Sequence, residues 1–209
     1  KEGEIVYISE KLHGTSFRAG WVLNEANTWW KKIKKFFGKL DDYEFVFGSR
    51  NVQLSSPKHQ DKFYYDENVY GRTVDRYALK KKLQKGEVIY GEIVGHGIQA
   101  GYEYGLEPGE IAFYAYDMMK EGKYVNYVEF QYLCKTKEIP VVPDLFVGPY
   151  SLEKVRELTE GSSILAPETQ PVREGVVVKP ILEEISPYCG RKVLKSINPE
   201  YYLDTKNTD

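Results

Sequence analysis

The sequence predicts an α+β fold in which mixed, largely antiparallel sheets pack with helices. Two observations predict it. Short apolar, β-branched runs recur along the chain between glycine- and proline-containing turns, and segments with helical spacing of apolar residues lie between some of them. The chain also carries 18 tyrosines and 9 phenylalanines, which favour strands and stacking surfaces. A length of 209 residues and a hydrophobic fraction of 42% suit one domain with a packed core. We place the core at about residues 4–197 and read 198–209 as a tail with no obvious core role.

Each element follows from its pattern. Residues 4–9 alternate as a strand and lead into Glu10-Lys11-Leu12-His13-Gly14-Thr15-Ser16, where the glycine permits a tight turn. Phe17 to Leu23 reads as a second strand. Trp29, Trp30, Ile33, Phe36 and Phe37 recur near helical spacing, with Lys31, Lys32, Lys34 and Lys35 on the other face. That face is either a solvated surface or a nucleic-acid contact. Glu44 to Phe47 is a strand ending in Gly48-Ser49-Arg50, and Val74 to Leu83 fits a helix. Val88 to Gly95 is a strand with one carboxylate, Glu92, inside an apolar run, where it needs a partner or a task. Ile111 to Asp117 is another apolar strand and Tyr124 to Thr136 a helix. Val141 to Val147 is extended, and Ser151 caps a helix ending near Gly161. Glu174 to Pro180 is a β-branched strand flanked by charge, and Lys192 to Ser196 a short strand with a basic end.

Composition bounds the function. The formal net charge is −2, so nucleic acid would have to be met by a local basic patch. Cys134 and Cys189 form neither a disulfide framework nor a zinc spacing, which suits an intracellular, reducing compartment. No apolar run is long enough for a membrane helix, and no signal peptide is visible. The first residue is Lys1 rather than Met, so the chain reads as processed or excised from something longer.

Lys11, Arg50, Glu92, Phe113, Glu174, Lys179 and Lys195 are charged or aromatic residues on or beside apolar strands. In order and wording these segments resemble the covalent nucleotidyltransferases: ATP-dependent polynucleotide ligases and mRNA capping guanylyltransferases. The Glu10–Thr15 segment is similar to the K-x-H-G nucleophile motif of the RNA ligase 2 branch, which includes the Naegleria and Deinococcus type. Gly48-Ser49-Arg50, Tyr90–Gly95, Phe113–Asp117, Glu174–Lys179 and Val193–Lys195 resemble the motifs that follow, over roughly residues 4–197. Ser16 stands where many relatives carry Asn.

The resemblance implies a nucleotidyltransferase domain that uses ATP and Mg²⁺ or Mn²⁺. Lys11 would attack the α-phosphorus and keep AMP as a lysyl phosphoramidate. Lys179 and Lys195 would neutralise phosphate charge, and Lys195 is favoured over Lys192 for that role. Glu174 would hold the metal through water or orient the lysine. Arg50 and Glu92 would grip the ribose, Phe113 would stack on adenine, and Glu10 would lie near the adenine edge. His13 and Ser16 would serve phosphate contacts in later steps. The implied substrate is RNA with 3′-OH and 5′-phosphate ends, as a nicked duplex, sealed by a monomer. An OB-fold module of the full-length protein would precede Lys11 and is absent from this chain. The competing readings are a nucleotide- or RNA-binding module without catalysis, and a capping-type guanylyltransferase that takes GTP.

Overall fold

A computed structural model describes residues 1–24, 42–50, 68–170 and 172–203. In chain order the elements are β1 (Ile5–Lys11), β2 (Thr15–Leu23), β3 (Tyr43–Gly48), α1 (Val69–Arg76), α2 (Leu79–Lys82), β4 (Glu87–Gly95), β5 (Ile111–Lys120), β6 (Lys123–Tyr124), α3 (Tyr127–Thr136), β7 (Asp144–Pro149), α4 (Leu152–Thr159), β8 (Gly175–Pro180), β9 (Ile185–Ser186), β10 (Gly190–Arg191), β11 (Leu194–Ile197) and α5 (Pro199–Leu203). The expected lysine-rich helix around Ile33, with Lys31, Lys32, Lys34 and Lys35, lies outside the described residues.

Two antiparallel sheets carry the molecule. One has the order β11-β8-β1-β7 and the other β3-β2-β4-β5-β6; β9 and β10 form a separate hairpin. Val6 to Glu10 are all buried, because β1 is central in its sheet and covered on both faces. Behind the five-stranded sheet, Phe17, Ile89, Ile93 and Phe113 pack with Val74 and Leu79 of the short helices and Phe130 of α3. Val6, Ile8, Val176 and Val178 pack under α4 through Val155. The Ser151 hydroxyl caps α4 by accepting from the Lys154 N–H at 3.1 Å.

Three details depart from the sequence expectation. The helix expected over 74–83 is two helices, because Ala78 sits in the left-handed region at φ 51° and breaks the chain between them. Tyr124 belongs to β6, and α3 starts only at Tyr127. The stretch after 198 has a core role up to its described end: α5 buries Tyr201, and Asn198 is fully buried beside it.

Candidate active site

A cleft of about 470 Å³ opens between the two large sheets. Strand alternation decides which side chains enter it. From the first sheet come Lys11 at the end of β1, Lys179 on β8 and Lys195 on β11. From the second come Ser16 on β2, Glu92 directly opposite it on β4, and Tyr116 on β5. Lys11 pairs in register with Gly175, and this sets it beside Glu174, the residue before β8.

Lys11 Nζ donates a short hydrogen bond to Glu174 Oε1. The Glu174 carboxyl is buried, and burial pushes its pKa up against the opposing pull of Lys11. Its other oxygen, Oε2, is buried without a hydrogen-bond partner among the described residues. His13 Nδ1 lies 3.8 Å from it. The His13 ring meets Tyr102 and Tyr201 edge-on at 4.9 and 5.3 Å, and its backbone N–H donates to the Tyr104 hydroxyl at 2.7 Å. Burial first, and then the Lys11 charge, push the His13 pKa down to about 4, so the imidazole is neutral at neutral pH.

Glu10 is 2% exposed on the cleft floor. Its Oε2 accepts the Ile164 N–H at 2.9 Å, while Oε1 is buried without a partner among the described residues. Glu92 is pushed up to about 8 by burial, with Lys11 the main opposing influence. Its folded pKa is thus above the unfolded value, so the folded state holds an extra proton between about 4.5 and 8. Stability from this group is present below that window and is lost as pH rises through it. Glu92→Gln removes the loss. Because Glu92 is partly exposed, solvent screening leaves on the order of 1–2 kcal/mol of relative gain for the variant at pH 8 over pH 4.5. Denaturant melts at the two pH values check it; a constant gap between variant and wild type would contradict the assignment.

The expected set does not assemble completely. Arg50, Ser16 and Lys195 line the cleft, and Ser16 Oγ lies 3.4 Å from the Tyr116 hydroxyl. Phe113 does not: it is fully buried opposite Ile93, on the core face of β5, with its ring against Phe17 and Tyr77. Tyr116 is the β5 aromatic that lines the cleft, together with Tyr90 on β4 and Tyr124 on β6. Lys179 is 4% exposed and already committed, donating to Asp117 Oδ1 and the Tyr116 carbonyl at 2.8 Å each. These two contacts brace the wall that carries Tyr116, in a cleft that Lys179 also lines. Lys192 is spent on Glu4 and Glu184 at the surface, at 2.7 and 3.1 Å.

Sequence reasoning missed Tyr116, Asp117, Arg191 and Tyr201. Arg191 binds Asp117 at 2.6 and 2.7 Å, reaches Glu183, and lies 3.7 Å over the Tyr124 ring. Alternation along β5 was a usable signal for Tyr116, since it is out of phase with Phe113. Nothing local signals that Arg191 returns to Asp117 across 74 positions.

The family model for RNA ligase matches residues 4–197. The chain is also similar to solved structures of Naegleria gruberi RNA ligase. One holds pyrophosphate, another is a lysine-to-alanine mutant with ATP and Mn, and a third is a lysine-to-methionine mutant with AMP and Mn. Each is 20% identical, with a TM-score of 0.71, over 99% of this chain and 53% of theirs. This chain thus spans about half the length of those structures. No curated protein matches the sequence. Among the described residues no helix is long and apolar enough to cross a membrane. With the α+β fold shared and the match running from β1 through β11, the chain belongs to the RNA ligase family.

Proposed function

We propose that this is the adenylyltransferase domain of an ATP-dependent RNA ligase, with Lys11 as nucleophile. The observation that carries the reading is the Lys11–Glu174 pair at the mouth of a cleft that also holds Lys195, Arg50 and Glu92. The Lys11 amine would attack the α-phosphorus of ATP. An N–P bond forms, the bond from phosphorus to the bridging oxygen breaks, and pyrophosphate leaves. The amine must shed its protons for this, and Glu174, whose burial favours the protonated acid, is in contact to receive one. AMP then passes to an RNA 5′-phosphate, and the 3′-OH displaces it to seal the strand.

Lys195 on the cleft wall suits phosphate, Arg50 and Glu92 suit the ribose hydroxyls, and Tyr116 suits a base. Glu10 Oε1, a buried acceptor without a hydrogen-bond partner among the described residues, suits an amino-group donor such as the adenine edge. His13 and Ser16 are left for phosphate contacts in the later steps. The residues fit a divalent ion in one mode. Among the described residues no three His, Cys, Asp or Glu side chains converge on a common point, so an ion such as Mg²⁺ or Mn²⁺ would be held through water by Glu174 and directly by the nucleotide. When bound, that ion supplies charge neutralisation for the phosphates. The natural substrate in this reading is a nicked RNA duplex, and the partner an OB-fold module of the full-length, monomeric protein.

The test is transfer of label from α-labelled ATP or GTP to the protein, followed by addition of nicked RNA duplex. Label from ATP alone, discharged by the duplex, supports the reading. Label from GTP alone would replace it with a guanylyltransferase, and none from either, in folded protein, with a binding module.

A further inference from the structure

Tyr201 lies beyond the last strand of the cleft, yet it is only 8% exposed and is tied back to the site twice. The first tie runs through the backbone. Asn198 accepts the Tyr201 N–H on its carbonyl at 3.1 Å, and its own N–H donates to the Glu174 carbonyl at 2.9 Å. Its side chain also reaches the Arg173 carbonyl at 3.3 Å. The second tie runs through side chains. The Tyr201 hydroxyl lies 3.2 Å from His13 Nδ1, and His13 Nδ1 lies 3.8 Å from Glu174 Oε2. That oxygen has no hydrogen-bond partner among the described residues, while its twin Oε1 holds Lys11. The Tyr201 and Tyr102 rings flank the imidazole edge-on and contact one another at 5.7 Å.

We infer that Tyr201 is a positioning residue for the Lys11–Glu174 pair, acting through His13. A buried carboxylate with one uncommitted oxygen is free to rotate about its terminal torsion, which is broad. Rotation would carry Oε1 away from Lys11. A ring fixed against Oε2 restricts that rotation, and the Tyr201 and Tyr102 rings confine the imidazole while the Tyr104 hydroxyl holds the His13 backbone. The hydroxyl adds a second constraint. It lies 3.2 Å from Nδ1 and 3.5 Å from Nε2, and because a phenol can donate to a bare nitrogen or accept from a protonated one, it fixes the position of the ring whichever tautomer is present. Glycine at position 14 lets the chain just after His13 pass close against β4, where a Cβ would lie 2.3 Å from the Ile93 carbonyl, and His13 and Lys11, two residues apart, both reach Glu174.

The inference rests on the adenylyltransferase reading, and the experiment separates the two. Single-turnover formation of covalent AMP is measured against ATP concentration for wild type, Tyr201→Phe, His13→Gln and the double variant. Tyr201→Phe keeps the packing and loses the hydroxyl. The expected result is about a 10-fold lower maximal rate with unchanged half-saturation by ATP, and no further loss when the change is made in His13→Gln. A wild-type rate in Tyr201→Phe, an effect confined to ATP half-saturation, or the same fold-loss with and without His13 would each overturn it.

The second measurement needs neither activity nor a variant that folds. His13 is one of three histidines, and the relaxation of its ring resonances in the free wild-type protein reports how far the imidazole moves. A ring as rigid as the buried backbone is expected; wide, fast motion of the imidazole overturns the inference. If wild type forms no covalent AMP, the functional reading fails while this second measurement still decides the role of Tyr201.

Discussion

Lys11→Ala is expected to reduce covalent AMP formation by at least about 10⁴-fold, because it removes the amine that Glu174 contacts and that forms the N–P bond. The variant also removes the cation that faces a buried carboxylate. Glu174 then takes up a proton more readily, since burial already raises its pKa and the opposing Lys11 influence is gone. A carboxyl raised further above its unfolded value loses stability as pH rises. Lys11→Ala is therefore expected to be about 1–3 kcal/mol less stable than wild type at neutral pH, with the deficit shrinking in mild acid. Equilibrium denaturation at pH 5 and 7.5, run beside the AMP assay, separates loss of the nucleophile from loss of the fold. A deficit that grows in acid would contradict the account of Glu174.

Asp117→Ala is the second large effect, and it falls on stability first. Asp117 holds two cations, buried Lys179 at 2.8 Å and Arg191 at 2.6 Å. Burial pushes the Lys179 pKa down, and Asp117 is the main influence that opposes it. Without Asp117, an uncompensated ammonium remains under Tyr7 and Tyr116, which costs about 3–5 kcal/mol. The sign with pH is distinctive. A lysine whose folded pKa lies below its unfolded value makes the protein less stable in acid and more stable as pH rises. The variant should thus recover on going from pH 6 to 9, and adding Lys179→Met should recover most of the loss at pH 6. Melts of the two variants at both pH values test this; equal deficits at pH 6 and 9 would contradict it. Survivors should also bind nucleotide less well, because Lys179 holds the Tyr116 carbonyl in the cleft wall.

The strands were legible because each is a short apolar run with a charged residue at a fixed phase. Lys11, Glu92, Glu174 and Lys195 could be placed on such runs without coordinates. What failed was contact across long separations and exact phase. Phe113 and Tyr116 sit in one aromatic run, and only the two-residue alternation separates the core ring from the cleft ring. A register shift between Tyr90 and Gly91 further offsets the pairing of β4 with β5. The contact of Lys179 with Asp117 was not legible because the two lie 62 positions apart. Ala78 breaks a helix although alanine favours helices, so its positive φ is set by tertiary packing and not by local preference. Tyr201 carried no signal, since one tyrosine after a motif looks like any tail residue. The lysines at 31, 32, 34 and 35 lie outside the described residues, and their contact with nucleic acid stays a proposal.

The most direct test of the central claim locates the AMP. Wild-type protein is incubated with ATP and Mg²⁺, its intact mass is read, and the modified peptide is sequenced. The account predicts a gain of one adenylyl group, acid-labile as a phosphoramidate is, on the peptide that contains Lys11. An adenylyl group on any other residue, or no gain in folded protein shown to be free of AMP beforehand, would contradict it.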